Sequence, residues 1–190
     1  TNVKRTASNA STSLHLTLLL MLVGVGILLG ACESPTEKAF GYLAKAQELY
    51  VDGDLVKAEI EVKNTLQILP KNPEARFLLA RIAESRGDFA EMAQNLRSAV
   101  NAKPDFIEAR LKLGTLYVMG GALDLAEEQA THLRDSNTDR ADVRILNARI
   151  HAAKGDMEAA RLELESALEM EPDNIQALGL LASVAATTDL

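Results

Sequence analysis

Cys32 is the one thiol among 190 residues, and it directly follows Leu29-Gly30-Ala31 at the end of an apolar run. A thiol flanked by small side chains at such a place is a nucleophile open to covalent modification. The blander readings are a small buried hydrophobe or the small-residue cleavage site of an ordinary secretory leader. A single Cys rules out an internal disulfide framework and any cysteine-built zinc site. The histidines add no chemistry: His15 lies in the apolar leader, and His132 and His151 stand in separate segments with no Glu-x-x-His pattern or carboxylate cluster. The acidic runs Glu127-Glu128 and Glu163-Leu164-Glu165 fit solvated helix faces better than a metal site. No nucleophile elbow, phosphate-binding glycine loop or dinucleotide fingerprint occurs in the folded part. We therefore expect no catalytic residue, metal, cofactor or small-molecule substrate; an enzyme reading needs a catalytic domain beyond residue 190.

What positions Cys32 is the leader. Residues 1–31 carry Lys4 and Arg5, no acid, and an apolar stretch from Leu16 to Leu29 interrupted by Gly24 and Gly26. That stretch is short for a bilayer span and has the layout of a signal peptide. Leu29-Gly30-Ala31-Cys32 resembles the lipobox of bacterial lipoproteins. The resemblance implies cleavage before Cys32, a diacylglyceryl group on its sulfur, and a lipidated linker over 32–38. Several acyl chains on one N-terminus anchor a protein firmly, where one is marginal. Glu33 is not the Asp of the inner-membrane retention signal, so the expected destination is the outer membrane, facing the periplasm. The first residue is Thr, so we expect the numbering to begin just after an initiator.

Beyond the linker the chain repeats itself. Gly53, Gly87, Gly121 and Gly155 are each 34 residues apart, and Pro70, Pro104, Thr138 and Pro172 keep the same interval. So do the small-residue sets Ala46, Ala80, Gly114, Ala148, Ala182 and Ala58, Met92, Ala126, Ala160; a third, Thr65, Ala99, Leu133, Ala167, is less uniform. Each set has a mechanical reason. Glycine ends a helix in the left-handed conformation, and Asp54, Asp88 or Asp156 then caps the next helix. Small residues let two helices cross closely, and proline stops the second helix. Low aromatic content (4%) agrees with helix packed on helix, and the acidic balance of 27 carboxylates against 20 Lys and Arg argues against nucleic acid.

This pattern resembles the tetratricopeptide repeat in length, turn chemistry and small-residue positions. The expected fold is all-α: an α-α superhelix, or solenoid, filling 39–190, with units 39–72, 73–106, 107–140 and 141–174 and a partial unit 175–190 whose helix runs to about 186. Ala122, Leu133 and Thr138 depart from the pattern, so the second helix of the third unit should be the least regular. The apolar last helix, and Asp189 where the next turn falls, point to an array that continues or meets a partner.

Stacked first helices should line a concave groove. Phase places Glu74, Glu108 and Asp142 along one edge, with Gln176 following. Leu43, Phe77, Leu111 and Ile145 form an apolar stripe, then come Gln47, Arg81, Thr115 and Arg149, and finally Tyr50, Glu84, Val118 and Ala152. Such a groove suits an extended or helical protein segment with apolar anchors and some charge. The phases where some tetratricopeptide domains clamp a terminal carboxylate read Glu, Leu and Thr, so a chaperone-tail clamp is not expected. Arg76, Arg110 and Arg144 make a further ladder, expected to be solvated or ion-paired between repeats.

A narrower resemblance rests on Cys32, on Tyr42-Leu43-Ala44-Lys45-Ala46, on 58–67, and on Pro73-Glu74-Ala75-Arg76-Phe77-Leu78-Leu79-Ala80. These look like the start of the tetratricopeptide lipoproteins of the PEP-CTERM exosortase system, with Thr65 where Ala is usual. The resemblance implies a membrane-anchored, non-enzymatic scaffold for exopolysaccharide production and surface protein sorting. The alternative is a structural lipoprotein of outer-membrane or pilus assembly.

Overall fold

The computed structural model describes residues 34–136 and 139–188. The leader 1–31, Cys32, Thr138 and Asp189 lie outside the described residues. Two compact units are distinguished, Thr1–Lys38 and Ala39–Leu190. Of the first, the described part is the opening turn of a helix. Ser34 and Glu37 cap it reciprocally: the Glu37 N–H donates to Ser34 Oγ at 3.1 Å and the Ser34 N–H to Glu37 Oε2 at 2.7 Å.

The described residues form nine helices and no strand: α1 Pro35–Val51, α2 Leu55–Ile68, α3 Pro73–Ser85, α4 Phe89–Ala102, α5 Ile107–Met119, α6 Leu123–Asp135, α7 Ala141–Ala153, α8 Met157–Met170 and α9 Ile175–Thr188. From Ala39 onward they pair as first and second helices of 34-residue units. At the turns Gly53, Gly87, Gly121 and Gly155 take φ of 81°, 73°, 72° and 85°, a region that only glycine enters without penalty.

Caps follow the sequence closely. Asp54, Asp88 and Asp156 accept the N–H of Lys57, Glu91 and Ala159. Ala122 holds the same backbone conformation with no side chain to cap α6. That helix stops at Asp135, one position earlier in the repeat than α2, α4 and α8. Asn72 and Asn174, which the repeat pattern did not single out, cap α3 and α9 through Ala75 and Ala177.

The core is a chain of apolar clusters, each joining one unit to the next. Leu43, Ala46, Ala58 and Val62 pack on Ala75, Leu78 and Ile82; Met92, Leu96 and Ala99 pack on Ala109 and Leu113. Close crossing explains the small-residue phases. A Cβ on Gly114 would stand 2.8 Å from Leu146 Cδ2, and Leu146 is wholly buried, so the third unit needs Gly where the others use Ala. Thr65 fits its alanine phase because its hydroxyl donates within the core, to Glu61 O at 3.0 Å and Ala39 O at 3.3 Å. Ala182 departs from its set: it is exposed on α9, whereas Ala80 and Ala148 are buried by the units that follow them. Among the described residues no helix is long and apolar enough to cross a membrane.

Candidate functional site

Helices α1, α3, α5, α7 and α9 each contribute to one concave cavity of about 680 Å³. Its floor is apolar: Phe77 from α3, Leu111 and Leu116 from α5, and Ile145 from α7. Phe89 and Met92 enter from the first turn of α4, and Met119, 67% exposed, forms part of the rim. Eleven of the expected groove residues line this cavity: Tyr50, Phe77, Arg81, Glu84, Glu108, Leu111, Thr115, Asp142, Ile145, Arg149 and Gln176.

Five expected residues sit elsewhere. Val118 packs against the apolar cluster shared by α6 and α7, and Ala152 against that of α7, α8 and α9. Leu43 is 7% exposed and belongs to the core between α1, α2 and α3. Gln47 is exposed one turn before Tyr50, outside the cavity lining. Glu74 lies at the start of α3, where Lys103 pairs with it at 3.3 Å. Phe77 and Ile145 combine two roles. The Phe77 ring meets Phe106 with centroids 4.9 Å apart, and Ile145 is buried against α8 and α9 neighbours, so both hold the fold while shaping the floor.

The electrostatics of the groove are uneven. Glu84 accepts Lys112 Nζ at 2.6 and 2.7 Å, tying α3 to α5. Arg140 reaches Asp142 at 2.6 and 3.1 Å and Glu108 at 3.5 Å; both carboxylates raise the Arg140 pKa. Every carboxylate lining the cavity is thus already paired. Two cations are not. Arg81 lies over the Tyr50 ring, 4.4 Å from its centroid, and Arg149 has a buried Nε with no hydrogen-bond partner. Burial lowers the Arg149 pKa.

The Arg76, Arg110 and Arg144 ladder is bonded both between and within units. Each arginine reaches back to the turn that ends the unit before it, Arg144 there as an ion pair with Asp139, and each also bonds the second helix of its own unit. Arg76 donates to Pro70 O and Asn95 Oδ1, and Arg110 to Pro104 O at 2.6 Å and Gln129 Oε1 at 2.9 Å. Arg144 bonds Asp139 and Glu163. Asn95, Gln129 and Glu163 are themselves 34 apart, so each arginine staples the first helix of a unit to its own second helix and to the turn before it. Among the described residues no cluster of His, Cys, Asp and Glu could hold a metal ion.

With this geometry in hand, the comparisons agree on the fold. Residues 73–106 and 141–174 match the sequence profile of the tetratricopeptide repeat, and the architecture is a tetratricopeptide-type superhelix. It is shared with MamA (residue 41 to its end) from Desulfovibrio magneticus RS-1, 15% identical, covering 82% of this chain and 88% of that one at a TM-score of 0.70. It is shared also with YrrB, described as a TPR protein with an unusual peptide-binding site, 22% identical over 74% and 73% of the two chains at 0.64. A third is pilF of Pseudomonas aeruginosa, 13% identical over 83% and 72% at 0.71. No curated protein matches the chain in sequence.

Proposed function

We propose that this chain is a non-enzymatic protein-binding scaffold that holds an extended or helical segment of a partner protein in its concave groove. The observation that carries this reading is the single cavity built by all five first helices, with an apolar floor and with its own carboxylates already neutralised. Apolar anchors of a partner would find desolvated pockets there, and the walls would not repel a peptide backbone. YrrB, which shares the fold, is described as binding peptide.

On the same footing we place the chain on a membrane through a lipid on Cys32, facing the periplasm from the outer membrane, in an exopolysaccharide and PEP-CTERM protein-sorting system. Support comes from Leu29-Gly30-Ala31-Cys32, Glu33 and the resemblance of 58–80. Two variants test the two parts. Cys32→Ser should move the protein from the membrane fraction to the soluble one; retention on the membrane would contradict lipid anchoring. Thr115→Glu with Met119→Glu changes the groove wall without touching the core. It should abolish crosslinked capture of a polysaccharide-export or sorting protein from envelope fractions, with helical circular dichroism unchanged. Equal capture by both proteins would remove the groove from the function.

A further inference from the structure

We propose that the groove selects partner segments carrying acidic side chains, with Arg149 as the principal carboxylate receptor and Arg81 as a second. This rests on the peptide-scaffold reading above and gives it a chemical specificity.

The argument begins with charge pairing inside the cavity. Glu84 is held by Lys112, and Glu108 and Asp142 by Arg140. What remains is positive: Arg81 and Arg149 make no ion pair with any described residue. Arg81 rests its flat face on Tyr50, an arrangement that orients the guanidinium while leaving its N–H edge to a ligand. Arg149 is more telling. A guanidinium does not give up its charge in a protein, yet its Nε is buried without an acceptor. Buried polar atoms are otherwise satisfied, and Arg149 Nε is the one side-chain exception among the described residues. Arg149 lines the cavity and makes no ion pair or hydrogen bond with any described residue, so a carboxylate arriving in the groove would supply the partner that this guanidinium lacks, and it matches the fork of donors best.

Spacing sharpens the match. Arg81 and Arg149 occupy the same phase two units apart, with the uncharged Thr115 between them. Packed neighbouring helices lie about 8–10 Å apart, so the two guanidinium groups bracket roughly 16–20 Å of groove. An extended segment covers that span in about five or six residues. Apolar side chains in between would meet Leu111 and Met119. A polyanion is disfavoured, because two unpaired arginines offer few contacts to a long run of charge and the chain as a whole carries net charge −7. The occupant is therefore an amphipathic acidic peptide rather than a nucleic acid.

The test is selection of a phage-displayed library of random twelve-residue peptides on the full chain. Enriched sequences are then synthesised with a fluorophore and titrated by anisotropy. We expect Asp and Glu to be enriched between apolar positions. Arg149→Gln should weaken binding by about tenfold or more. Exchange of the peptide's carboxylates for amides should cause a like loss that does not add to the first, and Arg149→Lys should restore part of it. Unchanged melting temperatures of both variants assign the loss to recognition. Enriched peptides that are neutral or basic, or that bind Arg149→Gln as well as the original, would overturn the acidic specificity and leave the groove reading standing. Peptides unaffected by Thr115→Glu with Met119→Glu, or no enrichment at all, would overturn the groove reading itself.

Discussion

Two sets of arginines on two faces of the same superhelix behave oppositely. On the side of the first helices that faces the second helices, Arg76, Arg110 and Arg144 recur in every unit from the second to the fourth, and each finds a backbone or side-chain acceptor at a repeating place. In the concave groove Arg81 and Arg149 skip the third unit, where Thr115 stands, and neither has an ion-pair partner. A residue that recurs with the repeat serves the stacking of the repeat. One that breaks the phase and is left unsatisfied serves something that arrives from elsewhere.

The largest expected effect comes from breaking the structural set. Arg110 is 6% exposed and bonds Gln129, itself buried. Arg110→Ala should lose about 2–4 kcal/mol of stability in chemical denaturation, because it orphans a buried acceptor as well as removing a charge-assisted bond. Arg110→Lys should recover little, since one ammonium cannot reproduce the two directed bonds. A loss as small as that of a surface ion pair would place Arg110 with the groove arginines.

The caps allow a test of about half that size. Asp88→Ala should cost about 1 kcal/mol, and Ala122→Asp should stabilise the third unit by a like amount, since Ala122 already has the backbone angles of the capping aspartates. A melting temperature unmoved by Ala122→Asp would mean that α6 is limited by something other than its start.

Acid should produce a smaller effect. Lys63 and then Arg86 hydrogen-bond Glu59 and hold its pKa below its usual value of 4.5. A carboxylate depressed in the folded state contributes stability above its unfolded pKa and loses it as pH falls through the folded value. Stability measured from pH 7 down to pH 3 should therefore fall less steeply for Glu59→Gln than for the parent. The smallest expected change is in the groove: Arg149→Gln should leave stability within about 0.5 kcal/mol or raise it slightly, since it removes a buried donor without an acceptor. Strong destabilisation would show Arg149 to be structural.

Periodicity made most of this legible. The glycines, capping aspartates and small crossing residues follow from a 34-residue spacing, because each unit must solve the same turn and packing problem. Phase along the first helices also brought eleven residues to one cavity. It could not tell Leu43 from Phe77, which share a phase. The difference lies in how deeply α3 covers α1, a tertiary fact. Nor could it find Phe89 and Met92, which reach the groove from a second helix, or the Glu84–Lys112 pair across 28 residues. The unpartnered Nε of Arg149 is likewise a property of packing, with no signature in the local sequence.

The central claim is that the concave groove, not the face of the second helices, receives the partner. A photo-crosslinking residue placed at Thr115 in the groove, or at Thr131 in the polar cleft beside Arg144 and His151, reads this directly in cells making the full chain. The account predicts a discrete adduct from position 115 that disappears with Arg149→Gln, and none from position 131. An adduct from position 131 alone, or a position-115 adduct indifferent to Arg149, would contradict it.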